Sequence, residues 1–129
     1  MLGFIGGTGP EGKGLALRFA ISGMEVFIGS REKQRGIEAA ENLVSKYSEI
    51  DSTLVKGGTN EKAASDCEIA VICTPYAGHK GTLENLKQNL AGKIVVDVVA
   101  PLSFQKGSIS AIEVEDGSAA EEAQLLLPE

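Results

Sequence analysis

Apolar positions in this chain fall into short unbroken runs that alternate with stretches of helical spacing. Residues 2–5 form the first run, bounded by glycine, and residues 25–28 the second. Between them Leu15, Ala16, Phe19 and Ala20 recur at helical spacing, and Gly23 stands where it would stop a helix, so the opening reads as one βαβ unit. A charged helix is predicted over residues 32–47, with Ile37, Ala40, Leu43 and Val44 on one face. Thr53-Leu54-Val55 reads as a third strand and residues 61–65 as a short helix. A fourth strand over residues 69–73 ends at Thr74-Pro75, and a fifth over residues 94–99 ends at Ala100-Pro101. Runs this apolar, without alternation, suit strands covered on both faces, which predicts an α/β fold with a parallel sheet. After Pro101 the pattern weakens. Residues 103–107 read as loop, residues 109–114 have no firm period, and Ser118 opens a last helix through Leu126, with Glu121 in the capping-box position.

With 129 residues the chain is long enough for one domain with a core, expected to span residues 1–129. A formal net charge of −6 gives nucleic acid no basic surface to bind. The apolar runs fall far short of the roughly twenty residues that a membrane-spanning helix needs. The N-terminus opens directly into Met1-Leu2-Gly3-Phe4 with no basic export region, so a soluble, cytoplasmic protein is expected. Cys67 and Cys73 form no C-x-x-C pair and lie near no histidine at ligand spacing, so no metal site is expected; Cys73 reads as a small buried residue.

Gly7-Thr8-Gly9-Pro10-Glu11-Gly12 fits G-x-G-x-x-G and lies between a predicted strand and a predicted helix, as dinucleotide binding requires. In that setting Gly7 makes the tight turn, Gly9 lets the backbone approach a pyrophosphate, and Gly12 lets helix and strand pack closely. The helix N-terminus then offers free N–H groups to the anion. A purely structural glycine turn reads the same way without the βαβ context. Gly7 to Gly12 with Lys13 also fits the phosphate loop of nucleotide hydrolases, but Gly14 replaces the serine or threonine that holds magnesium. Asp97 either imitates the second magnesium aspartate or is a hydrogen-bonded structural residue.

The end of the second strand separates the cofactors. NAD sites of this type place a carboxylate there, whereas this chain has Gly29-Ser30-Arg31. A hydroxyl and a guanidinium both donate to a 2′-phosphate, so NADP(H) is preferred. Lys33 and Arg35 either add positive field or are solvated charges on a surface helix, and Ser30 is also a candidate N-cap. Thr74-Pro75-Tyr76 and Ala100-Pro101-Leu102 follow two strand ends and form a shelf for the nicotinamide, or simply stop the strands. His79, the one histidine, is read on a loop beside that shelf, either touching cofactor or substrate or incidental.

Together with the opening Gly3-Phe4-Ile5-Gly6-Gly7-Thr8-Gly9, these segments resemble the coenzyme F420-dependent NADP oxidoreductases over essentially the whole chain. The resemblance implies hydride transfer between NADPH and the deazaflavin ring of F420, with no dedicated acid or base, since the cofactors carry the chemistry. Matching positions put Thr8 at the pyrophosphate turn and Ser30 and Arg31 at the 2′-phosphate. Thr74, Pro75 and His79 would lie along the cofactor, and Ala100 and Pro101 near the nicotinamide. The resemblance also implies a last strand and a small C-terminal domain that complete the deazaflavin pocket and a homodimer. The expected architecture is therefore a Rossmann-type doubly wound sheet without those parts. The short length keeps open a second reading, an NADP-binding or sensor module that needs a partner chain.

Overall fold

The computed structural model describes residues 1–127. Five parallel strands stand in the order β3-β2-β1-β4-β5: β1 Leu2–Ile5, β2 Val26–Ser30, β3 Val55–Thr59, β4 Ile69–Ile72 and β5 Ile94–Asp97. The central strand β1 pairs on both sides, Leu2 with Val26 of β2 and with Ile69 of β4. Because side chains alternate across a strand, Leu2 and Phe4 point to one face and Ile5 to the other. Leu2, Phe4, Val26, Ile28 and Val71 pack with α1 (Pro10–Ile21) and α2 (Lys33–Lys46). Ile5, Phe27, Ala70 and Ile72 pack with α3 (Asn60–Asp66), α4 (His79–Leu90) and α5 (Ala119–Leu126). The sheet is thus covered on both faces, as its unbroken apolar runs predict. No described helix is long and apolar enough to cross a membrane.

Several elements differ from the sequence reading. Ser52–Leu54 is a 3₁₀ turn, and β3 begins at Val55 and runs to Thr59 through Lys56-Gly57-Gly58, residues that strand preference disfavours. The reason lies in α2, whose Gly36 packs directly on this strand: a Cβ at Gly36 would overlap the Gly58 carbonyl oxygen, and one at Gly57 the Gly36 carbonyl oxygen. His79 is not on a loop. It opens α4, whose Leu83, Leu86 and Leu90 are buried at helical spacing. The segment read as loop and aperiodic chain is an antiparallel hairpin, β6 (Leu102–Gln105) with β7 (Ser108–Ala111), turning at Gly107 with φ +86°. Ser118 caps the last helix as read, its hydroxyl oxygen accepting from the Glu121 N–H at 3.2 Å, while the Glu121 carboxylate accepts from that hydroxyl at 2.8 Å rather than from the Ser118 N–H of a full capping box.

Two details fix the far edge of the sheet. Lys93 Nζ donates to the carbonyls of Ala64, Ser65 and Cys67 at 2.6, 2.6 and 2.8 Å, closing the C-terminal end of α3. On β5, which pairs only with β4 among the described strands, Ile94 is 63% and Val96 42% exposed.

The glycines generate paired predictions. Gly14 lies within α1 with nothing near its Cβ position, so Gly14→Ala should stabilise the chain by about 0.5–1 kcal/mol through helix preference alone. Gly36→Ala gains the same preference but forces two backbones apart, and the net expectation is a loss of about 1–3 kcal/mol. Urea midpoints for the two variants should move in opposite directions.

Candidate functional site

The carboxyl ends of the strands converge on the turn between β1 and α1. Gly6, rather than Gly7, takes the left-handed conformation of the tight turn, with φ +69°. Gly7 closes that turn, its N–H donating to the Phe4 carbonyl at 3.2 Å, and is a close-contact glycine as well: its Cβ would meet Phe4 Cβ at 2.7 Å and the Phe4 carbonyl oxygen at 2.9 Å. Gly12 packs as predicted, since a Cβ there would lie 2.5 Å from Gly7 Cα. Gly9 has nothing within 4 Å of its Cβ position. It is also the N-cap of α1 and supplies no side-chain cap, and Pro10 follows with no N–H to satisfy. Lys13 N–H returns to the Gly9 carbonyl at 3.0 Å, which leaves the amides of Glu11 and Gly12 without helical partners. An uncapped helix start with open space before it has the free N–H groups and positive dipole end that an anion needs.

Both neighbouring strands pin this turn. Gly7 N–H donates to the Gly29 carbonyl of β2 at 3.0 Å, and Gly6 N–H to Asn60 Oδ1 at 2.9 Å. Asn60, buried at the start of α3, is a residue that sequence reasoning missed. Its only signal is a polar side chain at a strand-to-helix junction on the carboxyl edge. Beyond Gly29, Ser30 is buried and its hydroxyl oxygen accepts from the Glu32 N–H at 3.3 Å, so the hydroxyl proton remains to be given. The N-cap of α2 is Glu32, not Ser30, and makes no side-chain cap bond. Arg31 and Arg35 are exposed and form no ion pair among the described residues.

On the opposite side Cys73 N–H donates to the Ile5 carbonyl at 2.9 Å and carries β4 to Thr74. The Thr74 methyl borders Gly6, and its hydroxyl oxygen is buried with no partner. A buried unpartnered hydroxyl beside the uncapped turn fits a ligand group that supplies the missing hydrogen bond. Pro75 is exposed and Tyr76 half-buried. Burial raises the Tyr76 phenol, and the carboxylates of Glu122 and Asp116 add to the effect. Val98 N–H donates to the Ile72 carbonyl at 3.3 Å and leads to Ala100 and Pro101 at the same edge.

His79 is corrected as a cofactor contact. Its side chain is 0% exposed, with Nε2 lying 2.6 Å from Asp97 Oδ2 and Nδ1 2.7 Å from Glu122 Oε1. Both ring nitrogens are committed to carboxylates, so neither is left to meet a ligand. Asp97, in turn, is the hydrogen-bonded structural residue of the two readings it allowed. The Tyr76 ring stacks on the imidazole, with centroids 6.0 Å apart.

Cys73 sits inside this edge, where burial pushes its thiol up to about 12 and the carboxylates of Glu11 and Asp97 add to the effect. A thiol raised in the folded state stabilises the fold below the ordinary cysteine range and loses that contribution as pH climbs from about 9 towards 12. At pH 8 the native chain should therefore resist a thiol-disulfide reagent at Cys73, and also at Cys67, which is buried. Full labelling is expected only in denaturant; prompt reaction of Cys73 in the native chain would contradict this environment.

Comparison with known proteins joins this geometry to a family. The family described as NADP oxidoreductase, coenzyme F420-dependent, matches residues 1–101. The F420-dependent NADP reductase of Methanothermobacter marburgensis is 39% identical over 125 residues, covering 95% of this chain and 55% of that protein. The reductase of the same name from Methanocaldococcus jannaschii is 36% identical over 132 residues, covering 99% of this chain and 58% of its own length. The chain thus spans somewhat over half the length of these relatives. A solved structure from Arthrobacter sp. FB24, assigned as a candidate F420-dependent NADP reductase, aligns with a TM-score of 0.80 and 30% identity over 99% of this chain and 58% of that one. A hypothetical protein from Sinorhizobium meliloti, at 18% identity and a TM-score of 0.71, shares the fold. These matches lend nothing to the hydrolase or sensor readings. With the model of the family matched from the glycine turn through Pro101, the chain belongs to the coenzyme F420-dependent NADP oxidoreductases.

Proposed function

We propose that this chain forms the NADP(H)-binding part of an oxidoreductase that exchanges hydride between NADP(H) and coenzyme F420. The observation that carries the reading is the uncapped start of α1 at Gly9, set beside a β2 end that offers Ser30 and Arg31 where NAD sites have a carboxylate. The amides of Glu11 and Gly12 hold the pyrophosphate, with Thr8 on the same turn. Ser30 donates its free hydroxyl proton to the 2′-phosphate and Arg31 adds a forked, charged donor. Arg35, one turn into α2, adds positive field. The orphaned Thr74 hydroxyl takes a polar group of the cofactor, and Pro75, Tyr76, Ala100 and Pro101 border the nicotinamide.

The cofactor supplies the hydride chemistry when bound; the residues of this chain bind and orient it. The histidine at this edge is fully committed to two carboxylates, which agrees with a reaction that depends on ring placement rather than on proton transfer. The names of the relatives support F420 as the second substrate.

Replacing Arg31 with alanine should weaken NADPH by about 1.5–3 kcal/mol, the range for hydrogen bonds to charged groups, and leave NADH nearly unchanged in calorimetric titrations. Equal losses for both cofactors would show that Arg31 does not read the 2′-phosphate. For turnover, NADPH and F420 are mixed with the chain and the deazaflavin absorbance is followed. NADPH binding without bleaching of F420 would remove the activity from this chain and leave it the cofactor-binding role.

A further inference from the structure

His79, Asp97 and Glu122 come from α4, β5 and α5 and meet at the carboxyl edge of the sheet. His79 opens α4 immediately after the segment that leaves β4 through Thr74 and Pro75. Asp97 closes β5 immediately before the segment that runs to Ala100 and Pro101. Their 2.6 Å contact therefore spans the two segments that border the shelf. The other oxygen of Asp97 accepts from the Val99 N–H at 2.9 Å, so the same carboxylate also sets the path of the chain leaving β5. Glu122 holds the opposite ring nitrogen, and Tyr76 stacks on the ring face, so the imidazole is fixed at both ends and on one side. Backbone bonding between the two segments is thin by comparison, with Val98 N–H reaching the Ile72 carbonyl at 3.3 Å.

We propose that His79, Asp97 and Glu122 form a positioning clamp that fixes the separation of the segments after β4 and β5, and with it the shelf for the nicotinamide; the last step rests on the cofactor reading above. An apolar side chain of the same volume would fill the space but not fix the orientation. Buried, charge-assisted hydrogen bonds are directional and costly to leave half made. The clamp acts through the backbone it holds, and its three members are positioning residues.

The test compares the parent chain with His79→Gln. Adenosine 2′,5′-bisphosphate carries the phosphorylated adenosine end alone, whereas NADP⁺ carries the nicotinamide as well. In the variant the Kd of NADP⁺ should rise by about tenfold while that of the bisphosphate stays within about twofold. Without any ligand, amide exchange at Val98 and Val99 should accelerate by about tenfold or more, while Gly7 and Ile28 keep their protection. Equal loss for both ligands, or unchanged exchange at Val98 and Val99, overturns the clamp. If the parent chain binds neither ligand, the cofactor reading falls and the exchange data alone decide the clamp. Glu122→Gln alters the more exposed arm, 14% exposed against 5% for Asp97. It takes the place of His79→Gln should that variant not fold, with shifts expected in the same directions.

Discussion

Gly12 lies on Gly7 with no room for a Cβ between them, and from that contact the geometry of the carboxyl edge follows. The first turn of α1 is drawn against the end of β1, its start is left without a side-chain cap, and its free amides face the space in front of Gly9. A side chain at position 12 would lift the helix and turn those amides away. The same device recurs where Gly36 of α2 meets Gly57 and Gly58 of β3, so helices on this face approach the sheet as backbone on backbone. Such contacts leave little freedom for alternative packings and hold the turn in one arrangement.

The strong periodic segments were legible in the sequence, and the reasons for the rest are physical. β1 and α2 read within a residue or so of their ends because their apolar positions dominate their neighbours. β3 was displaced because its glycines serve a helix twenty residues earlier in the chain, a relation no local pattern expresses. The hairpin after Pro101 escaped because Phe104 and Ile109 pair across it while lying 74% and 67% exposed, so its apolar residues mark no core face. The G-x-G-x-x-G spacing finds the turn, but the left-handed residue is Gly6, one position before the motif begins.

At the candidate site, residues next to a recognisable strand end or glycine turn, Ser30 and Thr74 among them, were readable, and buried polar residues arriving from other helices were not. Asn60 and Glu122 reach the edge from helices whose sequences give no hint of a ligand. His79 was visible as the sole histidine, but its isolation in sequence concealed two carboxylates that arrive from residues 97 and 122. Charge balance is also local: among the described residues an acidic chain leaves Arg31 and Arg35 without ion pairs at one strand end and brings two carboxylates to the histidine at another.

The position of β1 at the centre of the sheet has a consequence for how the chain matures. The strand that carries the glycine turn precedes both of its partners in the chain, with β2 on one side and β4, far later in sequence, on the other. Until Ile69–Ile72 has emerged, β1 has an open edge and lacks the Cys73 contact that follows β4. Loop closure over that separation comes before the sheet is complete, which makes the turn after β1 a late product of folding although β1 precedes every other strand of the sheet.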